Sequence, residues 1–498
     1  MLNAHELVES WKERGRARLD GGRIRFAPRA DEPPVEVLRR AYRWIVERGI
    51  VCEAPDLQLG TPRVLGRQRV ALVGTEEAYA SYVLLPLLNL VTHQRMLIIG
   101  APGRGKTTLA TLMALVAGGS LTDVRRDTQH GHPQLTIADL LGSPLPGNLV
   151  EAKTSDEVEV AWRQWIRRRV KIVDEYNRIP TKTQSALLSL MAEGYAEQFG
   201  HVIESGRSAW FLTANDDLGG GTFQVIDALK DRIDAVVRAV PFEGNRLRLI
   251  AERIAHPERP EDVLPDDLRL SPEALDRADA EIRAIPIPDD VLDALGSFAA
   301  QIEFCQMASQ GLEHMTKDTL RVAGRRLAQV CNEDCPLDKR EHVCAQTEAG
   351  ISTRAHAALI RYSQALAWFR GRHVVSRGDV RALLPWVLHE RLAPNAHSGF
   401  FLDEGHSIYL ADRPSWISQL FDRALALRDA HASSREPLDA LAARVPTSRE
   451  EARALLREIE AAIENLLDHH ELNGLVHEDL IRLKAMHHRW RPLAAEAG

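Results

Sequence analysis

Residues 96–110 read MLIIGAPGRGKTTLA. A short apolar run, Met96, Leu97, Ile98 and Ile99, stops at Gly100, passes Gly103 and Gly105, and enters Lys106, Thr107, Thr108 and a stretch with helical preference. The order is strand, glycine loop, helix, and the loop spells G-x-x-x-x-G-K-T over residues 100–107. Glycines let backbone N–H groups curl around phosphate oxygens with no Cβ in the way, and the helix N-terminus adds partial positive charge. Gly100, Ala101, Pro102, Gly103, Arg104, Gly105, Lys106, Thr107 and Thr108 are therefore the candidate nucleotide-binding residues. Lys106 is expected on the β- and γ-phosphates, and the Thr107 hydroxyl on Mg²⁺.

A second short strand, Val170, Ile172 and Val173, ends in Asp174 and Glu175. Two carboxylates leaving a strand end some sixty residues after a phosphate loop fit its hydrolytic half, with Asp174 in the Mg²⁺ shell and Glu175 polarising the attacking water. A third strand, residues 209–213, ends in Ala214, Asn215 and Asp216, where the Asn215 amide is placed to orient water or the γ-phosphate. Upstream, residues 70–91 form an apolar segment through Gly74 and then an apolar helix. Val73 and Gly74 are candidates for lining a slot for the base, or are simply core.

The set GAPGRGKTT, VDEYNRIPTKTQSALLSLM, TAND and GGGTFQVIDALKDRID, in that order, resembles the MoxR-type AAA+ ATPases of the helix-2-insert clade. The resemblance spans about residues 70–392. It implies Asp174 as the Walker B aspartate, Glu175 as catalytic base, Asn215 as sensor 1 and Arg232 as an arginine finger acting on a neighbouring subunit's ATP. The segment GISTRAHAALIRYSQALAWFRGRHVVSRGDVRALLPWVLHERL is similar to the family's helical lid and puts Arg354 at sensor 2. In this clade the helix-2 insert and the hairpin before sensor 1, here residues 194–206, face the centre of a ring, so partner contacts are expected there.

Within the expected lid, Cys331, Cys335, His342 and Cys344 form C-x₃-C-x₆-H-x-C. Four such ligands in fourteen residues could close a tetrahedral structural Zn²⁺ site, with Cys305 as a possible substitute. Against zinc, the spacing is not a standard finger, and free cysteines are often small buried hydrophobes. Near the C-terminus, Ser448 and Glu451 read as a capping box. Leu455, Ile459, Ala462 and Leu466 then recur at a/d spacing before Leu475, Leu480 and Leu483, as in an antiparallel hairpin.

With 498 residues the chain needs more than one core. Its net charge of −7 gives no general pull toward nucleic acid or anionic membrane. Five scattered cysteines argue for a reducing compartment, and the N-terminus has no apolar signal core. The apolar run at residues 83–91 is too short to span a bilayer. A cytoplasmic protein without membrane insertion is expected.

The expected architecture is an α/β AAA+ core with a mostly parallel central sheet, an all-helical lid, and helical N- and C-terminal extensions. Its expected parts are an N-terminal helical extension (1–65), the nucleotide-binding core (66–245), a linker or insertion (246–285), the lid with its Cys/His insertion (286–412) and a C-terminal helical hairpin (413–498). By resemblance the activity is Mg²⁺-dependent ATP hydrolysis in a ring, expected as a hexamer. It would be coupled to remodelling or maturation of a partner protein, often one with a von Willebrand factor A domain. The rival readings are a nucleic-acid-stimulated motor and a non-hydrolysing nucleotide switch. The hairpin, with one arginine and a glutamate among residues 201–207, argues against the motor.

Overall fold

The computed structural model describes residues 17–20, 23–26, 32–49, 55–60, 63–65, 71–152, 154, 157–215, 231–239, 247–255, 259–303, 343–348, 350–469 and 474–495. The chain divides into two compact units, residues 1–286 with 354–387, and residues 287–353 with 388–498. The expected 286–412 lid does not coincide with this division, because residues 354–387 cluster with the first unit.

The N-terminal part holds more than the expected helix. Strands β1 (Ala17–Asp20) and β2 (Arg23–Phe26) pair antiparallel. Helix α1 (Pro34–Trp44) follows and buries Val37, Leu38 and Ala41, with Ile45 just beyond, while Val35 and Trp44 are half-buried. Two further antiparallel pairs are β3 (Leu57–Gln58) with β6 (Ala78–Tyr79), and β4 (Arg63–Leu65) with β5 (Ala71–Val73).

Helix α2 (Ser81–Thr92) is buried along its whole length. It leads into the central sheet, whose strands are β7 (Arg95–Ile99), β8 (Gln129–His130), β11 (Val170–Asp174), β14 (Ala209–Ala214) and β15 (Ala235–Arg238). Their order is β15-β7-β14-β11-β8 and every pair is parallel. Parallel strands covered on both faces need near-continuous apolar runs, which Met96, Leu97, Ile98 and Trp210, Phe211, Leu212 supply. In register, Leu97 faces Leu212 and Val236. All five strands run the same way, so the sheet has one edge of strand ends and one of strand starts. Ligand sites of open α/β sheets lie beyond the strand ends.

Helices α3 (Lys106–Val116) and α4 (Leu121–Asp127) connect β7 to β8. Before β11 comes the insert: α5 (Ile137–Leu141), β9 (Gly142–Pro144), α6 (Pro146–Glu151) and β10 (Val160–Trp162), with β9 and β10 antiparallel. Helix α7 (Thr181–Glu193) follows β11 and ends at Gly194 in the left-handed region. The hairpin β12 (Tyr195–Gln198) and β13 (His201–Glu204) turns at Phe199 (φ 52°) and Gly200 (φ 78°), the two positive φ values that a type I′ turn demands.

The stretch expected as a linker or insertion carries α8 (Leu247–Ala255) and α9 (Pro272–Arg283). Ser271 caps α9 by accepting from Ala274 N, proline sits in its first turn, and Leu275, Ala278 and Ile282 are buried. The acidic, proline-rich residues 257–273 suggested the linker. Helix α10 (Asp289–Glu303) belongs to the second unit, whereas most of α11 (Thr353–Arg370) and α12 (Arg377–Leu388) lies in the first. Helix α11 is tied to the first unit by Tyr362 Oη donating to Asn89 Oδ1 (2.7 Å) and Gln364 Nε2 to Ile285 O (2.8 Å). The buried Arg370 adds ion pairs with Glu77 (3.0 Å) and Asp379 (2.6 Å).

In the second unit, α13 (Arg413–Ala442), α14 (Arg449–His469) and α15 (Gly474–Ala495) surround Leu455, Ile459, Leu466, Val476, Leu480 and Leu483. Ser448 Oγ accepts from Glu451 N (3.2 Å), but Glu451 reaches back to Thr447 N (2.7 Å), so the capping pair is offset by one residue. Among the described residues no helix is long and apolar enough to cross a membrane.

Candidate nucleotide site

The loop from β7 to α3 places Gly103 (φ 76°) and Gly105 (φ 75°) in the left-handed region. An added Cβ would meet no protein atom within 4 Å at either. Conformation and open space in front of the loop, not crowding by the fold, call for glycine at both positions. Lys106 is buried, and its Nζ donates to Gly100 O (2.6 Å), Ala101 O (3.0 Å) and Asn215 Oδ1 (2.8 Å). Thr107 Oγ1 donates to Asp174 Oδ1 (2.8 Å). Behind the loop, Tyr82 Oη donates to Arg104 O (3.3 Å).

The strand ends bring the sequence-predicted residues together. Asn215 Nδ2 donates to Glu175 Oε1 (2.8 Å), while its own oxygen accepts from Lys106. The loop lysine, the amide and the carboxylate thus form one chain from β7 through β14 to β11. Glu175 Oε2 also lies 3.4 Å from Arg178 Nε. The Thr107 hydroxyl and Asp174 carboxylate make an oxygen pair suited to Mg²⁺, a hard cation that keeps several waters and takes phosphate oxygens alongside one or two protein ligands. No cluster of three or more His, Cys, Asp or Glu side chains capable of holding a metal occurs among the described residues.

Arg232 and Arg354 lie elsewhere. Arg232 precedes β15, and its Nη2 is 4.0 Å from Glu193 Oε1 at the end of α7. Arg354 Nη1 donates to Asp231 Oδ2 (2.8 Å). The neighbouring Asp234 accepts from Arg95 N (2.9 Å) and Arg95 Nε (2.8 Å) at the first residue of β7, and Arg95 also donates to Met191 O (3.2 Å). Both arginines therefore belong to the strand-start edge, and a five-residue strand, about 17 Å long, separates that edge from the loop. A cation in the first turn of a helix is disfavoured by the helix dipole, and at Arg354 Asp231 offsets this.

Val73 ends β5, and Gly74 lies against the chain at residues 58–59, where a Cβ would come 2.8 Å from Leu59 O. Cys305, Cys331, Cys335 and His342 lie outside the described residues. Cys344 is buried in the short turn Val343–Ala345.

Residues 95–234 match the family model described as ATPase family associated with various cellular activities (AAA), and residues 339–400 match that of the AAA lid domain. Protein MoxR of Paracoccus denitrificans is 26% identical over 324 residues, covering 65% of this chain and 86% of that protein. Chaperone MoxR1 of Mycobacterium tuberculosis is 24% identical over 310 residues, 61% of this chain and 69% of that protein. An uncharacterized protein of Bacillus subtilis, YeaC, is 25% identical over 320 residues, 64% and 83% respectively. The chain thus carries an AAA-type ATPase core and an AAA lid segment, and over about two thirds of its length it is similar to MoxR proteins.

In this AAA-type core, three residues beside the site were not picked out from sequence. Thr213 Oγ1 donates to Asp174 Oδ1 (2.5 Å) and accepts from Glu175 N (3.0 Å). Gly131 N donates to Asp174 O (2.7 Å). His130 Nδ1 lies 3.4 Å from Asp174 Oδ2. The available signals were a lone threonine near the end of an otherwise apolar strand and a glycine between two histidines, neither of which carries a spacing rule. Beneath the site, Lys171 is buried on β11, with Nζ donating to Arg168 O (2.7 Å) and 5.4 Å from the Trp210 ring; burial pushes it down to about 7.

Proposed function

We propose that the protein hydrolyses ATP with Mg²⁺ at interfaces between subunits of a ring and couples this to remodelling of a partner protein. The observation that carries the reading is the chain Lys106–Asn215–Glu175, with Thr107 and Asp174 alongside. It sets a phosphate-binding cation, a water-orienting amide and a general base at one sheet edge. Lys106 takes the β- and γ-phosphates, Glu175 accepts the proton of the attacking water, and Asn215 holds that carboxylate and the lysine in mutual register. Thr107 and Asp174 would hold Mg²⁺ together with the nucleotide, and the ion would supply neutralisation of charge on the phosphates.

The placement of Arg232 and Arg354 at the strand-start edge supports their acting on a neighbour's nucleotide, since neither lies beside its own loop. An arginine supplied across an interface contributes about 10³–10⁵ in rate. On the hairpin, Tyr195, Phe199 and Val202 are exposed, and Arg207 at its base pairs with Asp279 (2.9 Å). An apolar tip without free cations favours a protein partner over nucleic acid, in keeping with the relative called Chaperone MoxR1.

The test is steady-state ATPase activity of the wild type against Glu175→Gln. The variant should bind ATP as tightly and turn over at least about 10²-fold more slowly. Equal rates would dismiss hydrolysis at this site, and strong stimulation by nucleic acid alone would favour the motor reading.

A further inference from the structure

We propose that Thr213 is a positioning residue whose hydroxyl sets both the metal-facing carboxylate of Asp174 and the backbone of Glu175. The inference rests on the ATPase reading above. Thr213 is fully buried on β14. A hydroxyl has a single proton, and here it goes to Asp174 Oδ1 (2.5 Å), leaving a lone pair for Glu175 N (3.0 Å). Asp174 Oδ1 also receives the Thr107 hydroxyl (2.8 Å), so the carboxylate is fixed between two donors.

Glu175 has φ 52°, a left-handed conformation that a non-glycine residue keeps only where its surroundings over-determine it. The surroundings do so from both sides. On β14, Thr213 accepts from the Glu175 main chain, and Asn215, two residues on, donates to its carboxylate (2.8 Å). The i, i+2 spacing puts both side chains on one face of a strand. Beyond β8, Gly131 N holds Asp174 O (2.7 Å), and a Cβ at Gly131 would stand 2.2 Å from Glu175 O. Residues 213–215 therefore grip Glu175 at its amide and at its carboxylate together, and loss of the hydroxyl frees one of the two grips.

Thr213→Val keeps the shape and removes the hydroxyl; Thr213→Ser keeps the hydroxyl and loses a methyl. The first readout is Mn²⁺ binding, by electron paramagnetic resonance, to protein saturated with a non-hydrolysable ATP analogue. The second is binding of that analogue without metal, and the third is kcat. For Thr213→Val, Mn²⁺ affinity and kcat should each fall roughly 10–100-fold, the usual effect of removing a partner that orients a metal ligand. Metal-free analogue binding should hold, showing that the fold is intact, and Thr213→Ser should recover both losses. The proposal is overturned if Thr213→Val binds Mn²⁺ and turns over as the wild type does, or if Thr213→Ser is as impaired as Thr213→Val. Wild-type turnover that Glu175→Gln leaves unchanged would remove the ATPase reading, and the Mn²⁺ titration would still decide on Thr213.

Discussion

Replacing Gly131 by alanine would place a methyl carbon 2.2 Å from Glu175 O, 2.9 Å from Glu175 C and 3.1 Å from Ile179 Cγ1. Reaching the 3.4 Å of ordinary contact from 2.2 Å takes a movement of about 1.2 Å. The obstacle is main chain, which cannot swing aside as the tip of a side chain can. Moving it breaks the Gly131 N to Asp174 O bond or the Thr213 to Glu175 N bond. Overpacking costs about 1–3 kcal/mol and the lost hydrogen bond about 1 kcal/mol more, so a destabilisation of roughly 2–4 kcal/mol is expected. A base displaced by about 1 Å should also lose about 10²-fold in kcat. Urea unfolding followed at the first transition, with steady-state kinetics on the same preparation, measures both. A Gly131→Ala protein with wild-type midpoint and kcat would refute the clash. One that is destabilised but retains kcat would refute the coupling of that clash to Glu175.

Lys106→Ala should weaken ATP binding by about 10–100-fold, the worth of a charged hydrogen bond, in a fluorescent-nucleotide titration. Arg232→Ala should bind ATP normally yet lose most turnover, and mixing it with Lys106→Ala should restore part of the rate, because one protein keeps a competent loop and the other an intact arginine. Lys171 has a folded value of about 7 against an ordinary 10.5, so between those values the unfolded chain carries a proton that the folded one lacks. Stability should therefore rise with pH from about 7 to 10 by up to a few kcal/mol and be flat below 7. Lys171→Met should flatten that rise in urea midpoints measured across the range. At the hairpin tip, Phe199→Asn relieves a left-handed aromatic, so thermal stability should hold or increase and basal ATP turnover should persist.

The loop and the two acidic and amide strand ends were legible because their chemistry is written in short, local patterns: glycines at fixed offsets, and polar residues where an apolar strand stops. Thr213 and Gly131 were not, because their roles depend on which strands lie side by side. Strand β8 is two residues long, and only its pairing of His130 with Asp174 brings the glycine under Glu175. Arg354 was found by resemblance, but nothing local to it indicates Asp231, 123 residues away, as its partner. The acidic, proline-rich residues 257–273 obscured the start of α9, although its Ser271–Pro272 entry is a helix-start pattern.

A parallel sheet with a phosphate loop at one edge and two arginines at the other gives the subunit a head and a tail. A two-fold pair joined through the loop edges alone would set loop against loop and leave both arginines without a phosphate. Head-to-tail contacts bring each loop to the next chain's arginines and either close into a cycle or run on as a helix. If the arginines act across the interface as proposed, the direction of the five strands decides which two edges must meet in an active assembly before any interface residue is chosen.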